Sequence, residues 1–143
     1  MTEMSIEMLT TERVGELEDV LYPLFKQACD GNDVAQVSLT PENILTTAKT
    51  GLSVVFVGNV DDKPECVLVI QFGDEGTDRV ADVLAMAGKH LTKFRNAYWK
   101  IILEWLKANG VKYLDAYTSH RLEPIFLKKF GFDQSCAYVR KAL

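Results

Sequence analysis

The sequence predicts an α/β (α+β) domain with a mixed central sheet and helices on both faces. Three observations carry this. Residues 80–87 read as a strand that is apolar almost throughout, interrupted by Asp82. A strand without alternation is one covered on both faces. An amphipathic helical pattern over 93–108 follows, ends at Asn109-Gly110, and leads into a β-rich segment over 111–118. Strand, helix and strand in that order predict a right-handed parallel crossover. Upstream, two β-branched runs flank Asp61-Asp62-Lys63-Pro64, turn chemistry that predicts a hairpin and so an antiparallel component.

Taken in order, residues 4–9 alternate weakly and read as a first strand. Val14, Leu17, Leu21, Leu24, Phe25 and Ala28 then recur at helical spacing. Pro23 lies inside that pattern, so this helix is expected to kink or split there. Gly31-Asn32-Asp33 marks a loop. Thr40-Pro41-Glu42 starts a short helix, in which Thr40 caps orphan amides and Pro41 loses nothing at the first turn. Gly51 suits the end of that helix. Residues 53–60 and 65–72 are the hairpin strands, and 73–78 (Gly-Asp-Glu-Gly-Thr-Asp) read as a further loop. In the helix over 93–108, Phe94, Tyr98, Ile101, Ile102 and Trp105 form the apolar face, and Lys93, Asn96, Lys100, Glu104 and Lys107 the polar stripe. Glu123-Pro124 opens a short helix that ends at Phe130, with Gly131 after it. A last strand is expected around Ala137-Tyr138-Val139. The predicted order is β-α-α-β-β-β-α-β-α-β, one domain over residues 1–143.

Composition bounds the function. A chain of 143 residues, 48% hydrophobic and 25% charged, can bury a core without metal or disulfide staples. Its net charge of −4 provides no global field for nucleic acid, which makes that partner unexpected. The apolar runs, such as Val67-Leu68-Val69-Ile70, fall far short of a membrane span, and the N-terminus has no signal-peptide pattern. Cys29, Cys66 and Cys136 are an odd number without metal-ligand spacing. Buried free thiols in a reducing, cytoplasmic setting are the expectation, with no metal.

Two local patterns carry a resemblance. Glu104-Trp105-Leu106-Lys107-Ala108-Asn109-Gly110-Val111 at the end of the long helix, and Phe126-Leu127-Lys128-Lys129-Phe130-Gly131-Phe132 at the end of the last one, are similar to GNAT N-acyltransferases. The element order resembles the GNAT fold over nearly the whole chain. The resemblance implies acetyl-CoA as cofactor and an amine as acceptor. It places the family's phosphate-binding motif, Gln/Arg-x-x-Gly-x-Gly/Ala, on His90-Leu91-Thr92-Lys93-Phe94-Arg95. There Lys93 and Arg95 stand where glycines would let a phosphate approach the backbone. Gly88, in Ala87-Gly88-Lys89, is a substitute glycine three or more residues early. The cluster Lys89, His90, Lys93 and Arg95 admits two readings: cations that collect a bound anion, or a solvated loop paired with the protein's own carboxylates.

The resemblance also implies a tyrosine acid where this chain has Leu127, and Leu127 cannot transfer a proton. In a working enzyme the amides of 83–87, including those of Val83, Ala85 and Ala87, would polarise the thioester carbonyl. His120, at a strand end, or Asp82, through water, would serve as base, and Tyr138 as acid. Asp82 equally suits a sheet edge or an arginine partner. Tyr113, Asp115 and Tyr117 project from one face of their strand, lining a groove or packing under a helix. Lys93-Phe94-Arg95, Thr118-Ser119-His120 and Phe126-Leu127-Lys128 are similar to the GNAT-like internal head proteins of short-tailed phages, which implies a virion component without acyl transfer. Three readings follow: a degenerate GNAT-fold binding or structural protein, an active N-acetyltransferase, or an interaction module whose basic loop docks on an acidic partner.

Overall fold

The structure, a computed structural model, describes residues 3–30, 40–116 and 123–133. Its elements are β1 (Met4–Leu9), α1 (Thr11–Glu16), α2 (Glu18–Asp30), α3 (Pro41–Lys49), β2 (Ser53–Val60), β3 (Lys63–Glu75), β4 (Asp78–Gly88), α4 (Leu91–Ala108), β5 (Val111–Ala116) and α5 (Glu123–Lys129). The five strands form one sheet in sequence order. β1 to β4 run antiparallel, and β4 to β5 are parallel, as the strand-helix-strand reading requires. The predicted last strand lies outside the described residues.

The first helical pattern splits, but at Leu17 and not at Pro23. Thr10 caps α1 by accepting the Arg13 N–H at 3.1 Å. Leu17 then closes α1 through its N–H and opens α2 through its carbonyl, which accepts from Val20 and Leu21. Gly15, a poor helix former by about 1 kcal/mol, weakens the helix just before that break. Pro23 sits exposed inside α2. Thr40 caps α3 as expected, accepting from Asn43 at 3.1 Å.

Both hairpins are tighter than the sequence suggests. Asp61 and Asp62 take left-handed φ values of 53° and 62°, a two-residue turn, so Lys63 and Pro64 already belong to β3. Pro64 is accommodated at a register shift opposite Gly58 and Asn59. The expected loop at 73–78 shrinks to Gly76-Thr77, because β3 and β4 remain paired through Glu75 and Asp78.

The sheet separates two cores. Val55, Val57, Val67 and Val69 face α1 to α3 and bury Val14, Leu21, Phe25 and Ile44. Phe56, Cys66, Leu68 and Ile70 face α4 and bury Phe94, Ile102 and Leu106. Each large side chain so buried contributes roughly 1.5–3 kcal/mol. β4 serves both cores through a bulge. Val69 pairs with Ala85 and Ile70 with Val83, so Leu84 is the extra residue. Ala81 and Val83 therefore turn toward α4, whereas Ala85 and Ala87 turn toward α1 to α3.

Candidate functional site

β5 pairs with only the first half of β4. The parallel ladder runs from Arg79 opposite Val111 to Val83 opposite Ala116, next to the Leu84 bulge. From Leu84 to Gly88, β4 keeps its β3 partners, and its other edge has no strand among the described residues. A strand offers N–H and C=O groups to both edges. Along Leu84 to Gly88 the second edge of β4 thus has backbone groups that no described strand pairs, while Val83 still pairs with Ala116.

Gly88 ends the strand. Its φ of 114° is closed to most side chains, and an added Cβ would collide with the Glu65 carbonyl and lie 2.6 Å from Cys66 Cα. The missing side chain is thus required by close β3–β4 packing. Lys89 N–H donates to the Glu65 carbonyl at 2.8 Å. His90 adopts a left-handed φ of 64° and makes no side-chain cap. The helix starts at Leu91, two residues earlier than its apolar pattern suggests, and the first bond within it runs from Phe94 N–H to the His90 carbonyl. The amides of Leu91 and Thr92 precede that bond and lack a helical acceptor. No acidic residue lies in this first turn.

Of the basic residues, Lys89, His90 and Lys93 are exposed. Arg95 points elsewhere: its Nη2 and Nε donate to Asn96 Oδ1 at 2.8 and 3.2 Å, and its guanidinium lies 5.9 Å over the Phe130 ring. Phe94 is buried against Gly58 of β2 and beside Tyr98. Trp99 packs edge-on against Phe130 at 4.9 Å and donates its indole N–H to the Phe130 carbonyl at 3.2 Å. It ties α4 to α5. Phe126 and Phe132 complete that aromatic cluster.

Asp82 lies one pair before the end of the β4–β5 ladder, directly opposite Asp115. Ala81, Val83 and Leu114 turn toward α4, so both carboxylates turn to the other face. Burial first, and then the charges of Asp115 and Glu75, raise the Asp82 carboxyl above its ordinary value. No arginine pairs with it among the described residues. Sequence reading singled out Asp82 but missed its partnership with Asp115, which depends on the parallel register. Tyr113 is exposed and lies beneath Lys112 Nζ, 5.7 Å from the ring. It borders an open groove of about 470 Å³ between the end of α4 and the start of β5, lined also by Leu103, Leu106 and Val111. His120, Tyr138, Tyr117 and Cys136 lie outside the described residues. Cys66 is fully buried, and burial pushes its thiol up to about 11. No group of metal ligands occurs among the described residues, and none of their helices is long and apolar enough to cross a membrane.

No family model and no curated protein matches the sequence. Solved structures do match. A predicted acetyltransferase from Clostridium acetobutylicum, solved with acetyl-CoA, is 13% identical, with a TM-score of 0.68 over 98% of this chain and 96% of that one. A GCN5-related N-acetyltransferase from Ralstonia eutropha is 10% identical, with a TM-score of 0.69 over 98% and 99%. Glucosamine-6-phosphate N-acetyltransferase from Arabidopsis thaliana is 11% identical, with a TM-score of 0.65 over 98% of both chains. The chain has the fold of the GNAT acetyltransferases.

Proposed function

We propose that this chain is a binding or structural protein built on the acetyltransferase fold, its acyl-CoA machinery degenerate. The observation that carries the reading is the junction between β4 and α4. Two residues, Lys89 and His90, join the strand to the helix, and Lys93 already stands in the first helical turn. The resemblance to GNAT enzymes implies a glycine-rich stretch here, whose bare backbone holds the CoA pyrophosphate. In this chain side chains occupy that stretch, and the one nearby glycine is committed to packing on Glu65 and Cys66. Leu127 in place of a proton-donating tyrosine supports the same reading. The likeness of Lys93-Phe94-Arg95 and Thr118-Ser119-His120 to phage internal head proteins makes a virion component the structural form of this proposal.

A second reading, an acetyl-CoA-dependent N-acetyltransferase, is favoured by the β4 bulge, by the edge of β4 over Leu84 to Gly88 that no described strand pairs, and by the raised carboxyl of Asp82. In that reaction Asp82, through water, or His120 takes a proton from the ammonium form of an acceptor amine. The freed amine attacks the thioester carbonyl, whose developing oxyanion is held by amides of β4 around Val83, Ala85 and Ala87. The carbon–sulfur bond breaks, the new amide nitrogen releases its extra proton to water, and the thiolate takes a proton from Tyr138 or water. Lys89, His90 and Lys93 would meet the CoA phosphates. The amino-sugar enzyme among the structural neighbours suits an amine acceptor.

Calorimetric titration with acetyl-CoA at moderate salt separates the two. Absence of heat and of any thermal shift at millimolar ligand is expected. A saturable micromolar constant would overturn the degenerate reading and turn attention to His120, Asp82 and Tyr138.

A further inference from the structure

β1 stands at one end of the strand order and lacks the residues that usually guard a sheet edge. Natural edges carry proline, lysine or a bulge against pairing with another chain. β1 reads Met4-Ser5-Ile6-Glu7-Met8-Leu9, and its register with β2 runs unbroken. Its one charge, Glu7, is held by Arg13 and Asn59.

The neighbouring hairpin fixes which backbone groups of β1 face outward. A two-residue turn with both residues left-handed closes on a hydrogen-bonded pair, here Val60 and Lys63. Such pairs alternate along an antiparallel ladder. The extra residue at the register shift, Glu65, lies in β3, so the alternation along β2 is undisturbed. Gly58 and Phe56 therefore bond to β3, and Asn59, Val57 and Val55 bond to β1 at Ser5, Glu7 and Leu9. Met4, Ile6 and Met8 turn their N–H and C=O groups away from β2. The Met4 carbonyl accepts the Tyr98 hydroxyl at 2.6 Å, and no described strand pairs the groups of Ile6 and Met8.

The α4 side of this edge is apolar. Met8 lies opposite Phe56, whose side chain faces α4, and is 50% exposed. Ile101 is 57% exposed. It lies one turn from both Tyr98 and Trp105, which reach Met4 and Phe56. Ile101 thus stands on the β1 side of α4, away from the Trp99–Phe130 contact with α5. Beside it, Lys100 and Glu104 are exposed and form no ion pair among the described residues.

We propose that β1 pairs antiparallel with β1 of a second copy about a twofold axis, so that the two five-stranded sheets become one. Met-Ser-Ile-Glu-Met alternates apolar and polar identically in both directions. A twofold through Ile6 sets Ile6 against Ile6 and Met4 against Met8, all on the α4 face. These are the residues whose bonding groups turn outward, and a carbonyl has a second lone pair for Met4 to accept with. α4 suits the same axis. Tyr98 reaches Met4, two residues before Ile6, and Trp105 reaches the partner of Met8, two residues after it. The axis therefore passes level with the midpoint of 98 and 105, between Ile101 and Ile102. Lys100 of one copy then lies within one residue's rise, about 1.5 Å, of the level of Glu104 in the other. Two opposite charges meet twice across the seam, and Met8 and Ile101 are covered. A strand from an unrelated protein would fill the edge bonds but leave Lys100 and Glu104 unpaired. Each chain has one β1, so the assembly closes at the dimer. The contact lies at the far edge from β5 and is independent of whether acyl-CoA binds.

Sedimentation velocity of the full chain and residue-resolved hydrogen exchange test this together. Mass should double as concentration rises and go no further. The amides of Ile6 and Met8 should gain protection in step with the dimer, whereas those of Ser5, Glu7 and Leu9, bonded to β2, should be protected throughout. Met8→Lys puts a charge on the edge and should weaken association about tenfold or more without lowering the melting temperature of the dilute chain. Lys100→Glu and Glu104→Lys should each weaken it, and the double exchange, which restores the pair with signs reversed, should recover it. A chain still monomeric at about 1 mM, species larger than a dimer, or a dimer indifferent to Met8→Lys would each overturn the proposal. So would a dimer in which the Ile6 and Met8 amides exchange as fast as in the monomer, or a double exchange no tighter than its single variants.

Discussion

Gly58 sits where β2 crosses beneath the start of α4, and replacing it with alanine should strain that contact. Gly58 needs no left-handed backbone, so alanine is conformationally allowed. Its Cβ, however, would lie 2.6 Å from Cys66 Sγ, 2.9 Å from Phe94 Cδ2 and 3.4 Å from Met4 Sδ. Comfortable separations are roughly 3.5–4.0 Å, so the ring or the thiol must retreat by roughly 1 Å. Cys66 is 0% exposed and Phe94 3%, and neither has slack. Overpacking of this kind costs about 1–3 kcal/mol. The stiffer unfolded chain returns about 0.4–1 kcal/mol, leaving a net loss of about 1–2 kcal/mol. Urea denaturation should show a lower midpoint with an unchanged slope, and the melting temperature should fall by roughly 2–8 °C. In a Cys66→Ala background the loss should shrink by at least about 0.5 kcal/mol, because one obstructing atom has gone. A Gly58→Ala variant as stable as the parent would refute the tight-contact reasoning.

Two further perturbations probe Asp82 in the β4–β5 ladder and the α4–α5 contact. Asp82 has a folded pKa raised above the ordinary 3.8, so the fold prefers its protonated form. Stability from this group is present below the unfolded value and is lost as pH rises through the folded one. Asp82→Asn should therefore stabilise the protein at neutral pH, and urea midpoints should show that gain vanish below about pH 4. An equal gain at both pH values would rule out the electrostatic cause. Trp99→Phe keeps a ring against Phe130 but removes the indole donor to its carbonyl. It should cost about 0.5–1.5 kcal/mol and speed hydrogen exchange in α5 ahead of α4; uniform exchange would show that the bond does not hold α5.

The elements were readable in sequence wherever one local device decides them. Thr40 caps a helix, Asp61-Asp62 lie in the turn expected over Asp61 to Pro64, and Asn109-Gly110 stops α4. Features decided between distant segments were not readable. The bulge at Leu84 is invisible because 80–87 has no alternation to break. Its effect is to turn odd-numbered residues to one core before it and to the other core after it. The split at Leu17 rests on a carbonyl shared by two helices, which no residue type announces. The early start of α4 depends on His90 in a left-handed conformation, an unusual choice for a side chain of that size. At the site, Asp82 was visible as a charge in an apolar strand. Asp115, 33 residues on, meets it only through the parallel register. Arg95 looked like part of the basic cluster, but Asn96 and Phe130 draw it toward α5.

The sheet as a partition has a consequence for how such a chain diverges. Val57 and Val69 answer to one set of helices, while their neighbours Phe56 and Leu68 answer to another. Two packing problems therefore share a backbone but almost no side chains. Substitutions in one layer can drift and compensate among themselves without consulting the other, which suits a fold retained at 10–13% identity to its structural neighbours. Leu84 is the exception to that freedom. Deleting one residue there would leave β4 continuous yet exchange inside for outside along half its length, a lesion to both layers at once.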